Sequence, residues 1–394
     1  MFKKVLWIVL ISFVIVGCSA KPVVKSEPTG EIIFSADHIV SMNPQTMAWS
    51  ANVENGVVSQ ISLKTDLPGL KYVRFAGAVG EDKLVILASE ISTDYGYGDM
   101  WKLIYDREKG YDQPFSANKM DSQFDFNSIS FPMSTFASSP IFVPTSKYDN
   151  GFEYAGAYRV TQDGEDEFTE FGQRRNNDDD YWTVSPNGKL VALLTTFSTG
   201  AFEKNGGYFG TSMRMLQMVD GKEVLFETTT KNNDDNLWFY GWSADSRYGL
   251  FYSYDATGAG TGCMSIVDIH SNTPKEKLLY CKTQTPEDHT WPVFSSATWS
   301  PDGGKIVFQE GYFAIVVCSL WGDCGKVFKD GIHTGFQWSP DSAWIAFVLD
   351  EKFSSKTPGI YAIRSDGSDL RMIVNLTPPE DGERSVPVIY AWLP

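Results

Sequence analysis

The sequence is poor in histidine, poor in net positive charge, and without an apolar run long enough for a comfortable membrane span. Only four histidines occur in 394 residues, His38, His270, His289 and His333. The nucleophile elbow G-x-S-x-G, the zinc-protease H-E-x-x-H, the P-loop and the EF-hand loop are all missing. A Ser–His–Asp set need not be contiguous in sequence, but nothing in the chain points to one. Lys and Arg number 33 against 49 Asp and Glu, for a net charge of −16. That balance argues against nucleic-acid binding, which releases counterions from a basic surface, and against a polybasic lipid-binding patch. A mean hydropathy of −0.21 excludes a polytopic membrane protein. No long stretch follows a 3.6-residue period, so the expected fold is all-β. What is present, 42% apolar and 14% aromatic residues, is ample for a large core and excludes intrinsic disorder.

The first twenty residues read as an address. Lys3 and Lys4 precede the apolar run 5–16, too short for a span but right for an export signal. Ile15-Val16-Gly17-Cys18-Ser19 resembles the bacterial lipobox, which implies cleavage before Cys18 and lipidation of its thiol. Several acyl chains on one cysteine, at ~0.8 kcal/mol per buried CH₂, would make a stable anchor. A plain N-terminal membrane anchor with a chance cysteine is the alternative. Residues 1–17 are thus expected as a signal peptide and 18–30 as lipidated cysteine plus flexible tether. Residues 31–394 are left for a single domain. Twelve tether residues would reach at most ~40 Å.

Five cysteines less Cys18 leave Cys263, Cys281, Cys318 and Cys324. Three pairings are open to four cysteines, and C-x-x-C spacing is absent. Local pattern favours one pairing. The midpoint of 263 and 281 falls in the turn Ser271-Asn272-Thr273-Pro274, and 318 and 324 flank Leu320-Trp321-Gly322 symmetrically. Two hairpin disulfides, 263–281 and 318–324, are expected; four free buried thiols are the alternative.

A repeat runs through the rest of the chain. Val184-Ser-Pro-Asn-Gly, Trp242-Ser-Ala-Asp-Ser, Trp299-Ser-Pro-Asp-Gly and Trp338-Ser-Pro-Asp-Ser each end one apolar run and open another, with a weaker copy at Val79-Gly-Glu-Asp. Pro presets φ, Asp bonds nearby amides and Gly takes the left-handed position, so the motif is a β-hairpin. A second element follows each first one, at Lys102, Ala157, Arg214, Met264, Ala314 and Ile360, with a fainter copy at Val58. Copies recur every 45–58 residues or so, the size of a four-stranded propeller blade.

These residues are similar to the WD40-like repeat of the TolB-type β-propeller family. The resemblance covers roughly residues 75–394, is strongest from 180 onward, and is specific for fold. It implies a ring of sheets, and counting outer hairpins makes seven blades, with six as the alternative. TolB propellers have six blades and an additional N-terminal α/β domain, which is not expected here. Val388–Pro394 reads as the start of another repeat and Glu31–Ser35 as one missing its first strand. Their pairing would close the ring and remove an open sheet edge.

Repeat bookkeeping puts the segments entering the inner strands on one face with the loops joining second and third strands. The entering segments carry Asp178, Asp179, Asp180, Asp234, Asp235, Asp288, His289 and His333; the loops include Tyr95–Asp99, 201–210 and Tyr254–Gly262. An acidic, Tyr- and Gly-rich rim suits a cationic peptide or protein segment; Ca²⁺ is the one cation worth testing there. Ordinary solvated turns are the plainer reading. No metal site and no cofactor are assigned. Of twelve tryptophans, Trp242, Trp299, Trp338 and Trp392 hold equivalent positions and read as packing between blades; Trp321, at a hairpin tip, is expected to be exposed.

The expectation is a non-catalytic, lipid-anchored propeller that binds or scaffolds a protein partner at the bacterial cell envelope. Ser19 after the lipidated cysteine favours, by resemblance to lipoprotein sorting, the outer membrane facing the periplasm. The alternative is an envelope polysaccharide lyase or hydrolase using channel histidines and acids.

Overall fold

Four buried serines build the turns that the repeat spells out. The hydroxyls of Ser185, Ser243, Ser300 and Ser339 donate to the Oδ1 of Asn187, Asp245, Asp302 and Asp341 at 2.8, 2.5, 2.6 and 2.6 Å. Each hydroxyl also accepts the N–H five residues on, at Leu190, Tyr248, Lys305 and Trp344, at 2.8–3.0 Å. Serine is therefore the smallest side chain that satisfies the turn from inside. The third residue after each serine has a positive φ: Gly188 and Gly303, but also Ser246 and Ser342. The two serines are there for a reason beyond the turn. Their hydroxyls accept N–H bonds from Asn187 and Asp302 in the neighbouring turns, at 3.0 Å each.

The computed structural model describes residues 26–35, 48–61, 72–79, 83–89, 97–98, 100–109, 116–119, 124–125, 141–149, 152–161, 167–173, 181–198, 209–217, 224–230, 236–256, 260–284, 294–311, 313–331, 334–349, 354–376 and 387–394. Among these there is no α-helix, only strands and a 3₁₀ turn at Arg107–Lys109. The strands form seven antiparallel sheets, six of them four-stranded. From its first strand outward, the fourth sheet runs Tyr181–Val184, Leu190–Ser198, Phe209–Gln217 and Val224–Thr229. The fifth follows with Asn236–Trp242, Tyr248–Asp255, Thr261–Asp268 and Glu276–Thr283. The sixth has Phe294–Trp299, Lys305–Glu310, Ala314–Ser319 and Cys324–Lys329. The seventh has Thr334–Trp338, Trp344–Leu349, Gly359–Arg364 and Arg371–Asn375. This all-β series of small antiparallel sheets is consistent with a β-propeller.

The first sheet joins the ends of the chain, in the order Val388–Leu393, Glu31–Ser35, Ala48–Asn52, Val58–Ile61. Ile32 lies opposite Trp392 and Glu31 opposite Leu393. Gly30, just before this pairing, has φ +98, and a Cβ there would run into the Leu393 carbonyl oxygen. Val58–Ile61 is the outermost strand of its sheet, whereas the repeat put it in register with third strands; Ala48–Asn52 takes that place.

The second sheet is Tyr72–Val79, Lys83–Ser89, Met100–Asp106 and Ser116–Lys119. The third departs from the repeat. Its order is Glu167–Gln173, Phe152–Val160, Ile141–Asp149, Phe124–Asp125 and Tyr97–Gly98. The last pair belongs to a loop of the second sheet, and Tyr97 and Gly98 face Asp125 and Phe124. Part of one expected rim loop is thus a strand that joins two neighbouring sheets.

Among the described residues, apolar cores are shared across five junctions between sheets. One cluster unites Leu194, Met213 and Met215 with Phe239, Trp242 and Phe251, and another Leu250 and Met264 with Trp299, Ile306 and Phe308. Val307 and Ile315 meet Trp338, Ile345 and Phe347; Trp344 and Ile360 meet Ile32, Phe34 and Trp392; Ile33 and Leu393 meet Leu84 and Tyr105. The repeated tryptophans are at most 4% exposed, and each indole N–H finds a carbonyl. Trp242, Trp299 and Trp338 donate back to Thr183, Gly241 and Thr298 of the preceding sheet at 3.3–3.4 Å. Trp182 does the same to Gly156 at 2.7 Å. Packing, with the polar tip satisfied, is their role.

Both expected disulfides are present. Cys263 and Cys281 face each other across adjacent strands of the fifth sheet, and Cys318 and Cys324 do so in the sixth, with Cα atoms 4.1 Å apart in each.

Candidate functional site

The acidic rim lies outside the described residues. Asp178, Asp179 and Asp180 fall between Gln173 and Tyr181, Asp234 and Asp235 between Thr230 and Asn236, Asp288 and His289 between Gln284 and Phe294, and His333 just before Thr334. Cys18 is likewise outside the described residues. Each rim segment therefore links the fourth strand of one sheet to the first strand of the next. Among the described residues no group of three or more His, Cys, Asp or Glu is arranged to hold a metal ion.

Near that same end of the fifth and sixth sheets the structure assembles a cluster that the repeat did not announce. Glu310, the last residue of its strand, is only 6% exposed. Lys326 Nζ approaches its carboxylate at 2.9 Å, Lys282 Nζ at 3.2 Å, and the Tyr280 hydroxyl donates to it at 2.8 Å. Glu310 and Lys326 belong to the sixth sheet, Tyr280 and Lys282 to the outer strand of the fifth. Rings of Tyr252, Tyr280 and Phe308 pack against Phe294 at centroid distances of 5.3–5.7 Å, and the Tyr240 hydroxyl donates to the Phe294 carbonyl at 2.5 Å.

Burial alone would raise the Glu310 pKa, but hydrogen bonds from Lys326, Tyr280 and Lys282 outweigh it and hold the carboxyl below its ordinary value. Burial, with the Glu310 carboxylate beside it, pushes the Tyr280 phenol up. A carboxylate saturated by two ammonium groups and a phenol is a poor proton acceptor at neutral pH. The cluster is a polar clasp between two sheets.

Other carboxylates are shifted the same way. Asp268 is lowered by its hydrogen bond from Arg247, and Asp369 by that from Arg371; at Asp302 the Ser300 hydroxyl and the Gly304 N–H overcome burial. Groups whose folded pKa is depressed contribute stability above the unfolded carboxylate value of about 4 and lose it as pH falls through the lower folded value. The melting temperature should therefore hold between neutral pH and about 5 and fall steeply below about 4. Glu310→Gln should be less stable at pH 7 and lose less on acidification; parallel pH–melting curves for the two proteins would contradict the clasp.

No protein-family model matches the sequence, and no curated protein matches it. Solved structures similar to this chain include TolB from Acinetobacter baumannii, with 13% identity, TM-score 0.39, and 92% of this chain and 83% of that one covered. An oligogalacturonate lyase from Vibrio parahaemolyticus has 11% identity and TM-score 0.45, covering 90% of each chain. The acylaminoacyl peptidase of Pyrococcus horikoshii has 10% identity and TM-score 0.47, over 77% of this chain and 46% of that one.

Proposed function

We propose that this chain is a lipoprotein β-propeller of seven blades, anchored through acylated Cys18 at the bacterial cell envelope, where it binds or scaffolds a protein partner without catalysing a reaction. The observation that carries the reading is the pairing of Val388–Leu393 with Glu31–Ser35, together with apolar cores shared between neighbouring sheets. In this reading the sheets follow one another around a rigid ring with no free inner edge. Such a ring can present variable segments on one face without costing the scaffold its order. The acidic residues at positions 178–180, 234, 235 and 288, with His289 and His333, form the recognition rim of this reading, and a cationic peptide or protein surface is the partner. Ser19 after the acylated cysteine supports the outer membrane, facing the periplasm, as the location in this reading, which calls on no cofactor.

Crosslinking in cells followed by pull-down tests it. A variant with Asp178, Asp179, Asp234 and Asp235 each changed to lysine should keep its melting temperature and lose a crosslinked partner seen with the wild type. An unchanged set of partners would remove the rim from the reading. Polysaccharide turnover by the wild type that disappears in His289→Ala or His333→Ala would replace binding with catalysis.

A further inference from the structure

We propose that the face carrying the Ser-Pro-Asp turns lies toward the membrane, with Trp321 entering the lipid headgroup layer, while the opposite ends of the strands point away; the proposal rests on the lipoprotein reading of Cys18.

The first observation is where the chain leaves the domain. Residues 26–30, the end of the segment expected to be a tether, lie against the seventh sheet and the closing strand. The Ser26 carbonyl accepts from the Trp344 indole N–H at 3.3 Å and from the Arg364 guanidinium, and the Ser26 hydroxyl donates to Asp341 at 3.1 Å. Glu27 pairs with Arg371, Pro28 is buried, and the Thr29 carbonyl accepts from Trp392 at 2.8 Å. Arg364 and Arg371 stack over the Trp344 ring, at 4.3 and 5.2 Å from its centroid, so the strap rests on a preformed cationic and aromatic platform. Asp341 and Trp344 flank a Ser-Pro-Asp turn, so the chain departs from the turn face.

Length favours the same side. Eight residue steps separate Cys18 from Ser26, a reach of at most about 29 Å. The nine-residue strands Leu190–Ser198 and Phe209–Gln217 are themselves about 27–30 Å long. Inverting the domain would hold Ser26 a strand's length off the bilayer and need the remaining chain stretched to nearly its full reach, whereas the proposed orientation leaves it slack.

The second observation is independent of the strap. Turns between first and second strands and between third and fourth strands share one face of each sheet, because the strands are antiparallel. At one of the latter, on the adjacent sixth sheet, Trp321 is 83% exposed, while Trp182, Trp242, Trp299, Trp338, Trp344 and Trp392 are buried. Its turn is rigid. Trp321 and Asp323 N–H groups bond Ser319 Oγ at 3.2 Å, and the Cys318–Cys324 disulfide sits at its base. Lys277 lies 5.4 Å from the ring centroid and donates to the Leu320 carbonyl at 2.7 Å. An outward indole beside a lysine, on a fixed tip, is the chemistry of the membrane–water interface, where the ring is half wet and the ammonium reaches headgroups.

The test uses the full acylated protein on phosphatidylcholine–phosphatidylglycerol vesicles, with and without brominated phosphatidylcholine. Flotation reports the anchor, and quenching of tryptophan emission reports depth. The wild type should float and be quenched; Trp321→Ala should float and lose most of that quenching, while Trp238→Phe keeps it. A protein that floats with equal quenching in wild type and Trp321→Ala, or with none, overturns the orientation alone. A protein that fails to float overturns the lipoprotein reading and the orientation with it.

Discussion

Trp392→Ala is expected to lower the free energy of unfolding by about 3–5 kcal/mol, the usual cost of truncating a buried large aromatic. Trp392 is 4% exposed and packs with Phe34, Val53, Trp344 and Ile389, at the junction of the first and seventh sheets. Its removal leaves a cavity at that junction and orphans the Thr29 carbonyl, which accepts its indole N–H at 2.8 Å. The cavity also loosens the strand that shields the edge of Glu31–Ser35, so self-association should accompany the loss of stability. Urea unfolding and light scattering measure the two effects, with Trp321→Ala as a reference that should change stability by less than about 0.5 kcal/mol. A Trp392→Ala protein as stable as the wild type would mean that the terminal strand does not hold the two ends of the domain together.

Removing both cross-links should cost a comparable amount. The closed segments span sequence separations of 18 and 6 residues. In the chain-entropy account these correspond to about 3 and about 2 kcal/mol, or about 5 kcal/mol together. Alanine is the right replacement, because Cys318 is fully buried and a serine there would add the cost of an unsatisfied hydroxyl. Urea unfolding of the Cys263→Ala/Cys281→Ala and Cys318→Ala/Cys324→Ala proteins, singly and combined, should reproduce that order. The combined variant should match the wild type unfolded in reductant. If reductant leaves the wild-type midpoint unchanged, the pairs do not restrain the unfolded chain.

The parts of the fold that could be read from the sequence are those decided by neighbours in the chain. Each of the four serine-led turns is closed by contacts within five residues, so Ser243, Asp245 and Tyr248 declare a hairpin by themselves. The cysteine pairs were legible for the same reason, since a hairpin's symmetry makes 263 face 281. Tyr97 and Gly98 gave no such signal. Two residues of strand have no measurable period, and their partners, Asp125 and Phe124, lie in a different sheet. The Glu310 clasp was invisible because Tyr280, Lys282, Glu310 and Lys326 come from three strands of two sheets, and each alone reads as an ordinary strand residue. The docking of residues 26–30 was missed for a further reason. It is made mainly through main-chain carbonyls, which every sequence possesses, and the side chains that meet them lie more than three hundred residues away. The acidic rim was inferred from its position between repeats alone, and its residues lie outside the described part of the chain.

Completing the first sheet requires its opening strand, Glu31–Ser35, to wait for Val388–Leu393. More than three hundred residues lie between the two partners, and bringing such distant strands together is the slow kind of folding step. Until then the edge of Glu31–Ser35 stands open to other strands. Truncated products would remain permanently unzipped, presenting an unpaired strand to quality-control proteases. The seam of the first sheet thus reports whether its distant partner strand is present at all.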